Sequence, residues 1–356
     1  MIPELLETKG KNTKEYWEQV RRPEIQRLFE KWVYGVTPKE PLEEINAQIL
    51  NTELLENGRV KKEEVLLELK RNGKVCGFRC RLFLPADLKK PAPAIIMLNP
   101  FSRNKKLDYP GKEMDHMPYD LITSQGYIGI HADVDELCAD DPDLYQEGLW
   151  ELYPGRAEDS WGAIGMWAFA GSRVVDYLQM RQDMNCDKLA VCGCSRAGKA
   201  ALWCGAQDQR ISLVISNVSG CTGAAITRGK TGEHVIDITT KFPHWLCKNY
   251  ASFSHREEEL PVDQHMLLAL CAPRPLYVSS ASEDVWADPH SEFLAAQMAE
   301  PAYKLYGKQG LKECEFPREN QPIKNGCVGY HNRQGVHGCR RYDWEQYLLF
   351  IKQYFK

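Results

Sequence analysis

Leu189-Ala190-Val191-Cys192-Gly193-Cys194-Ser195-Arg196-Ala197-Gly198-Lys199 decides how this chain is read. Leu189 to Cys192 is a short apolar run, a buried strand, and Ala197 to about Gly205 has a helical pattern. Between them Gly193-x-Ser195 has the layout of a nucleophile elbow, a sharp strand-to-helix turn that lifts a serine hydroxyl above a sheet. Small residues are needed on both sides because the turn brings two backbones together. The usual pattern places a glycine two residues after the serine; here Ala197 stands there and the glycine follows at Gly198. Two other readings use the same residues. A serine after a glycine turn can simply cap the helix. Gly193 to Lys199 also spells G-x-x-x-x-G-K, a phosphate-binding loop, but Ala200 stands where a hydroxyl would hold Mg²⁺.

Outward from this point strands and helices alternate. Ala94–Leu98, Tyr127–Ile130, Leu213–Ser216 and Leu276–Ser279 are apolar strand-like runs. Trp161 to Leu178 is helical in pattern, with Ile164, Trp167, Phe169, Val174 and Val175. Such alternation predicts an α/β fold, a mainly parallel sheet covered by helices on both faces. Residues 63–85 alternate instead with a period of two around Asn72-Gly73, a hairpin signature. Upstream, Trp17, Val20, Ile25, Leu28, Phe29 and Trp32 recur at helical spacing. The expected organisation is a helical extension over residues 1–60, packed on one catalytic domain over 61–356 with an insertion at about 220–270. The acidic stretch with Asp133, Asp135, Glu136, Asp140, Asp141 and Asp143 reads as a solvated surface turn.

Composition narrows the function classes. With 45 basic and 49 acidic residues the net charge is −4, so no electrostatic footprint for nucleic acid is present. No apolar run approaches the roughly 18 residues of a membrane-spanning helix, so no membrane partner is expected. The 13 cysteines are odd in number and dispersed, which predicts reduced, mostly buried thiols rather than a disulfide framework. No CxxC pair occurs, and no metal site is expected. The first residues carry acids and lysines where an export signal has an apolar stretch of about 7–15 residues. The expectation is a cytoplasmic protein, or a secreted one if a signal has been removed.

A serine nucleophile needs a histidine base and an acid to orient it, in the order Ser, acid, His for this layout. The loop after Leu276–Ser279 carries Glu283, Asp284 and Asp288, where the acid belongs. Gly329 to Gly338 reads as a polar, glycine-punctuated loop with two histidines, His331 and His337. Either could be the base, and the order Ser195, Asp284, His337 fits.

The region from about 160 to 350 resembles the bacterial branch of carbohydrate esterase family 15, the glucuronoyl esterases. The likeness rests on Gly193 to Trp203, Val214 to Cys221, Phe242-Pro243-His244-Trp245, Leu260 to His265, Ser282 to Pro289, Gly329 to His337 and Tyr342 to Glu345. It implies an α/β-hydrolase fold and hydrolysis of esters of glucuronic or 4-O-methylglucuronic acid, with no cofactor. The substrate would be a glucuronic acid ester or a glucuronoxylan oligosaccharide carrying one. Ser195 matches the family nucleophile and Arg196 the arginine that supports the oxyanion. Lys199, Glu233 and Trp286 match positions that contact the sugar's hydroxyls and ring, and His337 matches the catalytic histidine better than His331. One departure stands out. Val218 occupies the position where many members carry the triad acid, so the resemblance places the acid at Asp284, with Glu283 and Asp288 as substitutes. The alternatives are an esterase of another sugar ester, such as acetylated xylan, and a catalytically silent carbohydrate-binding relative.

Overall fold

A computed structural model describes residues 1–6, 12–102, 116–154, 157–311 and 315–355. Nine strands form one sheet: β1 (Glu44–Leu55), β2 (Val60–Arg71), β3 (Lys74–Pro85), β4 (Ala92–Leu98), β5 (Ile128–Ala132), β6 (Met184–Cys194), β7 (Leu213–Asn217), β8 (Leu276–Ala281) and β9 (Val328–Arg333). Their order is β1-β2-β3-β5-β4-β6-β7-β8-β9. From β5 to β9 every neighbouring pair is parallel. The margin from β1 through β2 and β3 to β5 is antiparallel. The expected hairpin is there: Arg71 faces Lys74, and Asn72 (φ 52°) and Gly73 (φ 72°) make the two-residue turn with both φ positive.

The continuous apolar runs follow from burial on both faces. Alternate residues of β4 enter two different cores. Ile96 and Leu98 pack with the helices Ala163–Gln179 and Arg196–Gln207, while Ile95 and Met97 pack with Trp344, Tyr347 and Phe350 of the closing helix Arg341–Tyr354. The N-terminal helical segments, Lys14–Tyr34, join the first core through Trp17, Ile25, Phe29 and Tyr34. Tyr34 stacks on Trp203 at 4.7 Å, so these segments lie directly against the helix that follows the elbow. Burying a side chain such as Phe29 stabilises this docking by about 1.5–3 kcal/mol.

Three expectations need correction. The helical extension ends at Tyr34, and 44–55 is the edge strand β1, most of whose residues face solvent; Val20 also points outward. The stretch Val328–Arg333 is strand β9, so His331 lies inside the sheet rather than in a loop. The acidic stretch is only partly solvated. Asp133 is buried against Arg81 (2.6 Å) and Asn99 (2.7 Å), and Asp135 is buried too. The described cysteines are thiols outside disulfide bonds, mostly buried; Cys314 lies outside the described residues. Among the described residues no helix is long and apolar enough to cross a membrane.

Candidate active site

β6 ends at Cys194 and the helix Arg196–Gln207 begins two residues later, so Ser195 makes the whole turn. It does so at φ 60°, ψ −125°, a sparsely populated conformation costing about 1–3 kcal/mol that the surrounding structure must hold. Its N–H donates to the Asn217 carbonyl at 2.8 Å, tying the turn to the end of β7. The hydroxyl makes no capping bond to the helix, which removes the capping reading. Gly193 is required because a Cβ there would lie 2.0 Å from the Ala197 carbonyl oxygen. The displaced second glycine has its own reason. A Cβ on Gly198 would sit 2.9 Å from Cβ of Ser219, where the helix crosses the loop after β7.

Because β6, β7, β8 and β9 are adjacent and parallel, the residues that follow their C-terminal ends gather on one edge of the sheet. That edge carries Ser195, Val218, Asp284 and His337, the arrangement in which open α/β sheets form sites. Asp284 is buried in the turn after β8, and its Oδ2 lies 2.6 Å from Nδ1 of the half-buried His337. The backbone bond from Glu283 N–H to the Gly335 carbonyl (3.0 Å) holds the two loops together. The competing acids are elsewhere. Asp288 caps the helix Pro289–Met298, accepting from the Ser291 N–H at 3.1 Å and the Ser291 hydroxyl at 2.7 Å, and the Glu283 side chain is exposed. His331 is buried and engaged with Asp343 (2.7 Å) and the Tyr277 hydroxyl (3.1 Å). Val218 is buried with φ 41°, an unfavourable backbone for a β-branched residue, and carries no group that could orient an imidazole.

Arg196 occupies the first turn of the helix, where backbone N–H groups have no partner within the helix. Its guanidinium is paired with Asp140 and faced by the rings of Trp245 (4.5 Å), Phe242 (5.2 Å) and Phe101 (5.3 Å). The other Asp140 oxygen accepts from Trp245 Nε1 at 2.7 Å and lies 2.9 Å from His244 Nε2. Burial would raise the Asp140 carboxyl, but the His244 bond, the Arg196 charge and the Trp245 N–H outweigh it and hold the group below the ordinary carboxylate value. The residue is therefore an anion that fixes the cation beside Ser195. Sequence reasoning assigned Asp140 to the solvated turn. The signal that marks it is its partners, 56, 104 and 105 residues away in the chain.

Lys199, Glu233 and Trp286 also come together. Lys199 Nζ is buried, donates to the Ser219 carbonyl at 2.7 Å and to that of Cys221, and sits 3.7 Å from Glu233. Burial lowers its pKa and the Glu233 carboxylate works against that. The Trp286 indole N–H donates to the other Glu233 oxygen at 3.2 Å, and the Trp286 ring is about half exposed. Two of the three Nζ donors are taken by carbonyls of the protein, which leaves one for a ligand hydroxyl and too few to cradle a phosphate. The result is a polar pair with an exposed aromatic face beside it, which suits a hydroxyl-bearing ring.

Comparison with known proteins places these features. The sequence profile described as glucuronyl esterase of fungi matches residues 67–307. A carbohydrate esterase from an unknown prokaryotic organism is 35% identical, with 94% of this chain and 84% of that protein covered. A glucuronoyl esterase structure from Solibacter usitatus superposes with a TM-score of 0.89 at 34% identity, over 99% of this chain and 97% of that one. The 4-O-methyl-glucuronoyl methylesterase of Hypocrea jecorina is 29% identical, with 85% of this chain and 63% of that protein covered.

Proposed function

The chain belongs to the glucuronyl esterase family, and from that premise we propose that it is a serine esterase cleaving the ester of a glucuronic or 4-O-methylglucuronic acid through an acyl-enzyme. The single observation that carries this reading is the 2.6 Å contact between Asp284 and Nδ1 of His337 on the sheet edge that also bears the strained Ser195. The fold is that of an α/β-hydrolase, and the positions of the side chains on it support the roles that follow.

The Ser195 hydroxyl attacks the ester carbon while Nε2 of His337 takes its proton. Asp284 keeps the imidazole in the tautomer with hydrogen on Nδ1 and stabilises the imidazolium that forms. The tetrahedral oxyanion is met by the N–H at the start of the helix and by the Arg196 guanidinium, a cation already fixed by Asp140 and three rings. Preorganised donors of this kind are worth about 3 kcal/mol each. As the tetrahedral species collapses, the imidazolium gives its proton to the departing alkoxide, leaving the glucuronoyl group on Ser195. Water then attacks with the same histidine as base, and the acid is released. Lys199 and Glu233 hold sugar hydroxyls, and the Trp286 ring covers an apolar face of the sugar. The test is kcat/KM on benzyl glucuronate against an acetylated xylo-oligosaccharide. Strong preference for the glucuronate is expected, whereas preference for the acetyl ester moves the activity to acetylated sugars.

A further inference from the structure

We infer that Arg333 is a positioning residue for His337, its guanidinium fixing the backbone on both sides of that imidazole while Asp343 fixes the guanidinium. Arg333 is the last residue of β9 and is 4% exposed. Its Nη2 donates to the carbonyls of Val336 (3.0 Å) and Gly338 (2.7 Å), the two residues that flank His337. Its Nη1 donates to the Gln334 carbonyl at 3.2 Å. Carbonyls of three alternate residues thus converge on one cation, and the loop is folded around it.

The charge is balanced within the protein. Nε of Arg333 donates to both oxygens of Asp343, at 3.2 and 3.1 Å, and Asp343 is fully buried. Asp343 is held in turn. It accepts the Arg340 N–H at 2.7 Å in the first turn of the closing helix, and it lies 2.7 Å from Nε2 of His331, whose other nitrogen meets the Tyr277 hydroxyl. The second histidine therefore belongs to the support of the first.

Side-chain packing contributes little to this loop. Gln334 and Val336 are exposed, and Gly335 (φ 107°) and Gly338 (φ 131°) take conformations that L side chains disfavour. Its place is set by hydrogen bonds to Arg333, by the Gly335 carbonyl on Glu283 N–H, by the Gln334 and Gly335 N–H groups on Asn320 Oδ1 (3.2 Å) and Ser282 Oγ (3.4 Å), and by Asp284 on the imidazole; only Arg333 holds the carbonyls on both sides of His337. A planar fork of donors can serve several carbonyls and a carboxylate at once, which a lysine ammonium cannot. A displacement of about 1 Å at a reacting group can cost roughly 100-fold in rate.

The kinetic readout rests on the serine-esterase reading; a spectroscopic one does not. Arg333→Lys and Arg333→Met are assayed on benzyl glucuronate, with near-UV circular dichroism to follow the fold. The downfield proton resonance of the Nδ1–H of His337 bonded to Asp284 is recorded in the resting enzyme. Expected are a kcat lower by about 100-fold with KM within about threefold, a broadened or lost His337 resonance, and a native dichroism spectrum. Methylguanidinium is expected to restore kcat to Arg333→Ala, and ammonium is not. A kcat within about threefold of the parent and an unchanged resonance overturn the inference. So does a collapsed dichroism spectrum in both Arg333→Lys and Arg333→Met, which assigns Arg333 to folding alone. Loss of the resonance in a protein whose parent never turned over the ester upholds the positioning role and refutes the esterase reading instead.

Discussion

Glu292 lies within electrostatic reach of Asp284, and its removal tests the electrostatics of that region quantitatively. It sits on the helix Pro289–Met298, fully buried, accepting from the Ser280 hydroxyl at 2.6 Å and the Gly220 N–H at 2.9 Å. Burial pushes its carboxyl up from 4.5 to about 7; the Ser280 and Gly220 bonds pull it down, and the Asp284 carboxylate adds to the rise. Between those two values the folded protein keeps a proton that the unfolded chain has released. Stability from this group is thus fully present below pH 4.5 and is lost as the pH climbs through about 7. The difference of about 2.5 units at 1.36 kcal/mol each gives a loss of roughly 3 kcal/mol. Glu292→Gln keeps the shape and removes the ionisation. Urea unfolding of both proteins at pH 5 and pH 8 isolates the effect, since every other titrating group is common to the two. The stability gap is expected to move in favour of Glu292→Gln by about 2–3 kcal/mol from the lower pH to the higher. A gap constant to within about 0.5 kcal/mol refutes the argument.

Asp284→Asn is expected to lower kcat toward the roughly 10⁴-fold seen when a triad acid becomes an amide. Adding Val218→Glu is expected to recover part of that loss, and near-full activity of Asp284→Asn alone would remove Asp284 from the triad. Arg196→Lys keeps a positive charge but gives up the planar contact with Trp245 and the fixed Nη1 donor on Asp140, so kcat is expected to fall about 10-fold or more at nearly constant KM. A change confined to KM would make Arg196 a substrate-holding group. Lys199, Glu233 and Trp286 are expected to favour glucuronate esters over galacturonate esters, which differ in the direction of one hydroxyl. Equal kcat/KM on the two esters contradicts that assignment.

Where the chain buries both faces of a strand, its sequence says so. β4, β6, β7 and β8 stand out as apolar runs because they lie at the centre of the sheet. The elbow is legible for a steric reason: Gly193 leaves no room for any other residue. β1 was not legible, since an edge strand exposed along most of its length has no burial pattern to display. β9 was obscured by the opposite circumstance. Its His331, Asn332 and Arg333 are buried polar residues whose partners, Asp343 and Tyr277 among them, lie on other elements, so the segment reads as a loop until those partners are placed. In the sequence alone Asp140 is one acid among six in a stretch that reads as a surface turn. Only the approach of Arg196, His244 and Trp245 from elsewhere in the chain distinguishes it from its acidic neighbours, of which Asp141 is part-buried and Asp143 exposed. Long-range polar contacts leave no local periodicity, and they supply most of what the apolar pattern could not.

The central claim is that Ser195 carries the glucuronoyl group during turnover. Its most direct test is rapid-quench mass spectrometry of the protein mixed with benzyl glucuronate, followed by peptide mapping, with Ser195→Ala as the control. The account predicts a glucuronoyl adduct on the peptide containing Ser195, formed as fast as the benzyl alcohol burst, and at least a 10³-fold lower kcat in Ser195→Ala. Release of benzyl alcohol with no adduct on that peptide, together with near-parental turnover by Ser195→Ala, would contradict it.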